Sequence, residues 1–282
     1  MKMSKFEKDK VSICIPTYNG SKFILDALNS VLNQDYQNLE IIVNDDCSSD
    51  DTLAIVKSIE DERIQIYSNE KNLGLVSNWN RTVSFATGEF VKLMCQDDVL
   101  CEKAISNQLA ILKANPSASI SIGNTYVIDA ENKIIMNRKR FKKDILIDGK
   151  KYAMKSFRGR NIYSEPPNAL YRTEYFYKLG QYDAELSYTP NWDFGVKLSY
   201  LGDVACCKDY IMKFRISDSS ETNRLYTKML NASIKDSDLL IKKHRKLGVL
   251  RINIFDVIFF KLVIRAAAVV RLLFLNKNNN QK

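Results

Sequence analysis

At 282 residues the chain is long enough for one large domain, or one domain with an appendage, and its 45% hydrophobic content is ordinary for a globular protein. The formal charge of +9 is confined to one end, because residues 218–282 carry 13 Lys/Arg against 5 Asp/Glu and leave the preceding 217 residues at +1. That division disfavours a nucleic-acid-binding protein, in which basic and aromatic residues interleave, and suits an end that lies against an anionic membrane surface.

Met1 to Lys10 is polar and lysine-rich, and the apolar run behind it, Val11 to Ile15, stops at Pro16, too short for a signal-peptide core. That run predicts a first strand. Pro16-Thr17-Tyr18-Asn19-Gly20 breaks it into a loop, and Ser21 is placed to cap a helix with apolar positions at Ile24, Leu25, Leu28, Val31 and Leu32. Leu39 to Val43 predicts a second strand, ending in Asn44 and the acidic turn Asp45-Asp46-Cys47-Ser48-Ser49-Asp50, before a helix through Leu53, Ile55, Val56 and Ile59. Ile64 to Tyr67 is a third strand; the loop Asn69 to Gly74 follows, then a helix carrying Trp79, Val83 and Phe85. Phe90 to Met94 is a fourth, and it runs into Cys95-Gln96-Asp97-Asp98. Strands alternating with helices in this way imply a mostly parallel sheet covered on both faces, and such sheets bind ligands beyond the carboxyl ends of their strands. Two acidic strand ends suggest one site, with a paired acid suited to a divalent cation.

Beyond Cys101 the pattern predicts a helix through Ile105, Leu109 and Leu112, then strand structure in Ser119 to Ile128. Arg138 to Arg160 is rich in Lys and Arg, weakly patterned, and expected to be a mobile surface connection. A second ordered block runs from Asn168 to Arg215, with a helix through Phe194, Val196, Leu198 and Leu201 after Thr189-Pro190-Asn191-Trp192-Asp193. Near the C-terminus no uninterrupted apolar run reaches the roughly 20 residues of a membrane-spanning helix. Ile252, Phe255, Phe259, Leu262, Val263, Ala266, Val270 and Leu273 instead form one apolar stripe behind the basic run Lys242 to Lys246. This reads as an interfacial helix, with packing on the preceding domain as the alternative. Six cysteines without a C-x-x-C pair, beside the single His244, disfavour structural zinc and suit a reducing cytoplasm.

Ile13-Cys14-Ile15-Pro16-Thr17-Tyr18-Asn19, Glu40 to Thr52, Asn72-Leu73-Gly74 and Gln96-Asp97-Asp98, in that order, resemble the family 2 glycosyltransferases over roughly Lys10 to Ser217. The resemblance implies an α/β GT-A fold that binds a nucleotide-diphosphate sugar, with a UDP-sugar the expected donor, and transfers the sugar with inversion. Residues 10–100 would form its nucleotide-binding half and 101–217 its acceptor half. A basic, membrane-associating helical extension is expected at 218–275 and a disordered tail at 276–282. A polysaccharide or lipid-linked glycan acceptor and a position on the cytoplasmic face of the cell membrane complete the expectation.

For individual residues, the resemblance implies that Asp45 or Asp46 accepts the ring N–H of uracil, beside Pro16 and Thr17 and with Tyr18 as an apolar wall. Asn72 and Gly74 would shape the pocket. Gln96 and Asp97 fall in the donor site, and Mg²⁺ or Mn²⁺ bridging the diphosphate would be held by Asp98 and Asp97. The family pattern is Asp-x-Asp with a further Asp; Cys95 stands in place of its first acid, a soft ligand given no metal role. Asn191-Trp192-Asp193-Phe194 matches the segment of the family's base, which makes Asp193 the expected general base, with Trp192 either a stacking face for the acceptor or a core residue. Arg215 matches the family's Arg-x-His, with Ser217 at the His position, and is expected to assist the departing diphosphate. His244 is expected to lack a partner. The alternative function is a catalytically silent sugar-nucleotide-binding subunit, prompted by Cys95 and Ser217. A nucleotidyltransferase would carry a glycine-rich, Arg-containing loop where Pro16 to Gly20 stands.

Overall fold

The computed structural model describes residues 6–159, 161–217 and 221–279, with side chains described outside 221–233 and 267–279. Its first half repeats a strand–helix unit: β1 (Glu7–Thr17), α1 (Ile24–Leu32), β2 (Leu39–Asp45), α2 (Thr52–Lys57), β3 (Ile64–Ser68), α3 (Leu75–Ser84) and β4 (Gly88–Leu93). There follow β5 (Val99–Leu100), α4 (Ala104–Ala114), β6 (Ala118–Ile128), β7 (Ile134–Arg138), β8 (Ile145–Ile147) and α5 (Gly149–Phe157). After a single 3₁₀ turn at Pro166–Asn168 come β9 (Leu170–Arg172), α6 (Thr173–Lys178), α7 (Pro190–Leu201), β10 (Asp203–Arg215), α8 (Glu221–Leu247) and α9 (Ile254–Asn279).

Among the described residues all ten strands belong to one sheet, whose main path runs β3-β2-β1-β4-β9-β6-β10-β5. β1, β2, β3 and β4 pair in parallel, as expected, and so do β6 and β10. β9 lies antiparallel between β4 and β6, and β5, β7 and β8 add antiparallel edges, so the sheet is mixed rather than mostly parallel. Alternation along β1 explains the layering, since successive side chains leave opposite faces of a strand. Val11, Ile13 and Ile15 pack with α1, α2 and α4, whereas Cys14 joins α3, α5, α6 and α7 on the other face.

Three local expectations change. Within the stretch from Arg138 to Arg160, residues 138–159 are largely ordered, because β8 pairs with β10 and α5 buries Tyr152, Ala153 and Phe157 against α7. Its lysines and arginines obscured a helix with one buried face, capped by Asp148 accepting from the Lys151 amide at 2.8 Å. Ser21 does not cap α1, which starts after Phe23 without a side-chain cap; the Ser21 amide donates instead to Asp50 at 3.0 Å. The expected tail from residue 276 is helical through Asn279, and residues 280–282 lie outside the described residues.

At the C-terminal end, α8 and α9 return to the α7 face. Phe260 is fully buried, edge-on to Trp192 and Phe157 with ring centroids 5.4 and 5.7 Å apart. The opposite face of α9 leaves Ile254, Phe255, Ile258, Phe259 and Leu262 exposed. Packing on the preceding domain thus holds for one face of this helix, and the other face is exposed. Val270 and Leu273 of the expected stripe have side chains outside the described set. No helix among the described residues is long and apolar enough to cross a membrane.

Candidate active site

Parallel pairing sets Thr17 opposite Asp45, so the ends of β1 and β2 are level. Thr17 Oγ1 donates to Asp45 Oδ1 at 2.9 Å, and the Ser48 amide donates to Asp45 Oδ2 at 2.9 Å. Asp46 turns the other way. Its Oδ1 accepts from Asn69 Nδ2 at 2.7 Å and the Leu73 amide at 2.8 Å, while Oδ2 accepts from the Gly74 amide at 3.0 Å. Cys47, directly after the pair, takes φ 64°, a left-handed conformation uncommon for a non-glycine residue. The two acids, each 2% exposed, therefore order the loops on either side. Beneath them Asn78 Oδ1 accepts from Asn44 Nδ2 at 2.6 Å and Asn69 Nδ2 at 3.0 Å, a buried amide cluster joining β2, α3 and the loop between β3 and α3. Gln96 clamps the β1–α1 loop by exchanging two hydrogen bonds with the Tyr18 backbone, at 2.9 and 3.0 Å, and leaves the Tyr18 ring half-exposed. Pro16, Thr17, Tyr18, Asp45, Asp46, Asn72, Gly74, Gln96 and Asp97 all lie at this edge of the sheet, on three neighbouring strand ends and the loop that Asp46 holds.

Past β4, ligand atoms of Cys95, Asp97 and Asp98 lie within 4.8 Å of one another. Burial and then the charge of Asp97 push Asp98 well above the usual carboxylate range, against the pull of the Arg215 amide, which donates to its Oδ1 at 3.0 Å. Burial pushes the Cys95 thiol up as well. Arg215 departs from expectation. It is fully buried with its guanidinium centre 4.4 Å from the Phe23 ring centroid, and its five N–H groups are matched by five protein acceptors. Nε donates to the Asp97 carbonyl at 2.7 Å, Nη1 to the carbonyls of Asp129 and Ala130, and Nη2 to Asp26 Oδ2 at 3.0 Å and Asn132 Oδ1 at 2.8 Å. With its donors committed, Arg215 braces the Asp97-Asp98 turn instead of facing a diphosphate.

On α7 the expected residues divide by face. At about 100° per residue, Asn191, Phe194, Gly195 and Leu198 share one face, and these line a cavity with Ser164, Glu165 and Tyr182. Asp193 falls on roughly the opposite face. It is fully buried, with Oδ1 3.0 Å from His244 Nε2 and Oδ2 2.6 Å from Lys197 Nζ. The structure does not bring it into the cavity. His244, expected to be unpartnered, is fully buried, and its other nitrogen lies 2.7 Å from the Tyr200 hydroxyl. Trp192 follows the core alternative: it is 3% exposed, and its Nε1 donates to Ser156 Oγ at 3.1 Å.

Two ionisable residues at or beside the cavity lie outside the sequence expectation. Glu165 sits in the cavity wall, and Lys92, a buried amine inside β4, donates to Gln108 Oε1 and the Pro167 carbonyl at 2.7 Å each and to the Ala169 carbonyl at 3.2 Å. The sequence signal for Glu165 was the rigid Pro166-Pro167 pair beside it; a lysine within an apolar strand run was the signal for Lys92.

A sheet with two acidic strand ends beside a cavity defines a ligand-binding α/β protein, and comparison identifies its type. Staphylococcus aureus TarS 1–349 in complex with UDP matches with a TM-score of 0.62 at 23% identity, covering 82% of this chain and 69% of that one. The complex of the same protein with UDP-GlcNAc gives 0.63 at 20% identity, covering 86% and 74%. The fold is therefore GT-A-like. Residues 12–180 match the family model described as Glycosyl transferase family 2, and the chain belongs to that family. Among relatives, the GalNAc(5)-diNAcBac-PP-undecaprenol beta-1,3-glucosyltransferase of Campylobacter jejuni is 36% identical over 155 residues, 53% of this chain and 49% of that protein. The UDP-Glc:alpha-D-GlcNAc-diphosphoundecaprenol beta-1,3-glucosyltransferase WfgD of Escherichia coli is 34% identical over 119 residues, 42% and 47% of the two chains. These matches span about half the length of each relative.

Proposed function

We propose that this protein transfers a sugar, with inversion, from a nucleoside-diphosphate donor to a hydroxyl of a polysaccharide or lipid-linked acceptor. The observation that carries the reading is the convergence of the Asp45-Asp46 turn and the Cys95, Asp97 and Asp98 cluster beyond adjoining parallel strands. A UDP-sugar is the proposed donor, its base beside Thr17, Tyr18 and Asp45 and its wall formed by Asn72 and Gly74. The likeness to TarS in complex with UDP and UDP-GlcNAc supports this choice, and the named relatives support an undecaprenyl diphosphate-linked acceptor.

A divalent ion fits the cluster on chemical grounds. Two carboxylates held together by burial are mutually repulsive, and a hard cation with phosphate and water oxygens would relieve that repulsion. Asp98 and Asp97 are the proposed holders of Mg²⁺ or Mn²⁺, with the soft thiol of Cys95 contributing little. The ion would offset charge on the departing diphosphate. Arg215 contributes by holding the turn that carries both acids.

Peripheral attachment to the cytoplasmic face of the membrane completes the proposal. Phe255, 78% exposed, leads the apolar face of α9, and Lys242, Arg245 and Lys261 line the groove between α8 and α9. The deciding experiment incubates the full chain and Mn²⁺ with UDP-glucose, UDP-GlcNAc and UDP-galactose and undecaprenyl diphosphate-linked saccharides, and measures UDP release with product mass. Release that depends on both donor and acceptor is expected. Donor binding without release would favour the silent subunit.

A further inference from the structure

We propose that Glu165, rather than Asp193, takes the proton from the acceptor hydroxyl; this assignment rests on the sugar-transfer reading above. An attacking hydroxyl must be touched by its base, at about 2.6–3.2 Å or through one water. Asp193 is fully buried on the far side of α7, with both oxygens beside the cations or rings of other residues. Glu165 is in the cavity wall, opposite the Asn191 face of α7, and its side chain remains 20% exposed. It also stands near the acidic cluster, close enough for its charge to raise both Asp98 and Cys95. A base for an inverting transfer must lie across the reacting carbon from the group that holds the diphosphate and outside its coordination sphere, and the proposal gives Glu165 that position.

The surroundings of Glu165 fix its direction. Arg138 Nη1 donates to Oε1 at 2.6 Å, and the Ser164 hydroxyl donates to Oε2. Each carboxylate oxygen has two lone pairs, so both retain capacity for a further donor. The backbone is equally constrained. Ser164 adopts φ 70°, and its carbonyl accepts from Asn191 Nδ2 at 2.6 Å and Asn161 Nδ2 at 3.2 Å, while Pro166 limits the chain on the other side. Lys92 then holds the carbonyls of Pro167 and Ala169. Asn191 thus serves the site by anchoring the Glu165 turn to α7. A strained residue held from several sides is how a fold keeps a side chain in working position.

In the step itself, the acceptor oxygen forms a bond to the anomeric carbon as the bond from that carbon to the diphosphate oxygen breaks. The electron pair of the broken bond leaves with the nucleoside diphosphate. The acceptor proton passes to Glu165 and from there to water, which restores the carboxylate.

The test uses the full chain with Mn²⁺ and whichever UDP-sugar and lipid-linked saccharide the wild type turns over. Glu165→Gln, nearly the same shape, is expected to lower kcat by about 100-fold or more, with donor KM and Mn²⁺ affinity within about twofold of wild type. Glu165→Asp, shorter by one methylene, should fall between the two. Thermal melts and UDP binding establish that each variant is folded. A Glu165→Gln enzyme keeping more than a tenth of wild-type kcat overturns the assignment, and so does a loss that tracks loss of Mn²⁺ binding, which would make Glu165 a metal ligand. A wild-type chain that binds donor yet releases no UDP overturns the transfer reading and this assignment together.

Discussion

His244 on α8 meets Asp193 on α7 through a 3.0 Å contact between two fully buried groups 51 positions apart. The helix that follows the sheet is thereby locked onto the helix that walls its cavity. Lys197 holds the second Asp193 oxygen, and the Phe157 ring, 5.3 Å from the imidazole between centroids, closes the surroundings.

Replacing His244 should therefore unlatch α8. His244→Ala removes a buried partner of a carboxylate and leaves a cavity, and a loss of roughly 2–3 kcal/mol is expected from the hydrogen bond alone. Urea unfolding followed by circular dichroism measures it. An unchanged midpoint would mean that the contact contributes nothing to docking.

Asp46 predicts a local effect. Its carboxylate accepts the Leu73 and Gly74 amides, so Asp46→Ala should free the turn that precedes α3. Amide exchange at residues 73 and 74 should accelerate at least tenfold, and UDP affinity should fall with it. Exchange rates identical to wild type would show that the turn holds itself.

Arg215→Lys preserves charge but discards the planar fork that reaches five acceptors. The Asp97-Asp98 turn should loosen, and Mn²⁺ affinity should drop about tenfold, an energy of roughly 1.4 kcal/mol. Titration of Mn²⁺ by electron paramagnetic resonance reads the change. Full affinity in a folded Arg215→Lys chain would remove Arg215 from the account of the metal site.

Lys92 makes stability depend on pH. Burial lowers its ammonium from 10.5 to about 7 in the folded chain. Above 10.5 both states are neutral at this residue. As pH falls from 10.5 to 7 the unfolded chain takes up the proton first, so stability declines across that window and the decline is complete below 7. Unfolding free energies measured from pH 7 to 10 should rise in wild type, and Lys92→Met should lack this component of the rise. Equal slopes in the two proteins would show that Lys92 stays charged, held by its three carbonyl acceptors.

The exposed face of α9 predicts membrane behaviour. Phe255→Asp combined with Phe259→Asp should reduce sedimentation with phosphatidylglycerol vesicles by at least tenfold while leaving the melting temperature nearly unchanged, because both rings already face solvent. Equal sedimentation of variant and wild type would exclude this face as the contact.

Much of the edge formed by the ends of β1, β2 and β4 was legible in the chain itself. Apolar runs ending in Thr17, Asp45 and Asp97-Asp98 carry their strand ends in the sequence, since a parallel strand is bounded by the turn chemistry beside it. The family followed from the order of those motifs. The α7 side of the cavity was not legible in the same way. Asn191, Trp192 and Asp193 are consecutive, yet a helix turns each by about 100°, sending one to the cavity, one to the core and one to His244. Basic composition likewise hid β8 and α5, and isolation in sequence hid the partners of His244, Lys92 and Arg215. Local pattern determined the strand ends and the acids they present, because those depend on neighbours along the chain. Tertiary packing decided which carboxylate faces the cavity and which is spent on holding helices together, because that depends on contacts between residues dozens of positions apart.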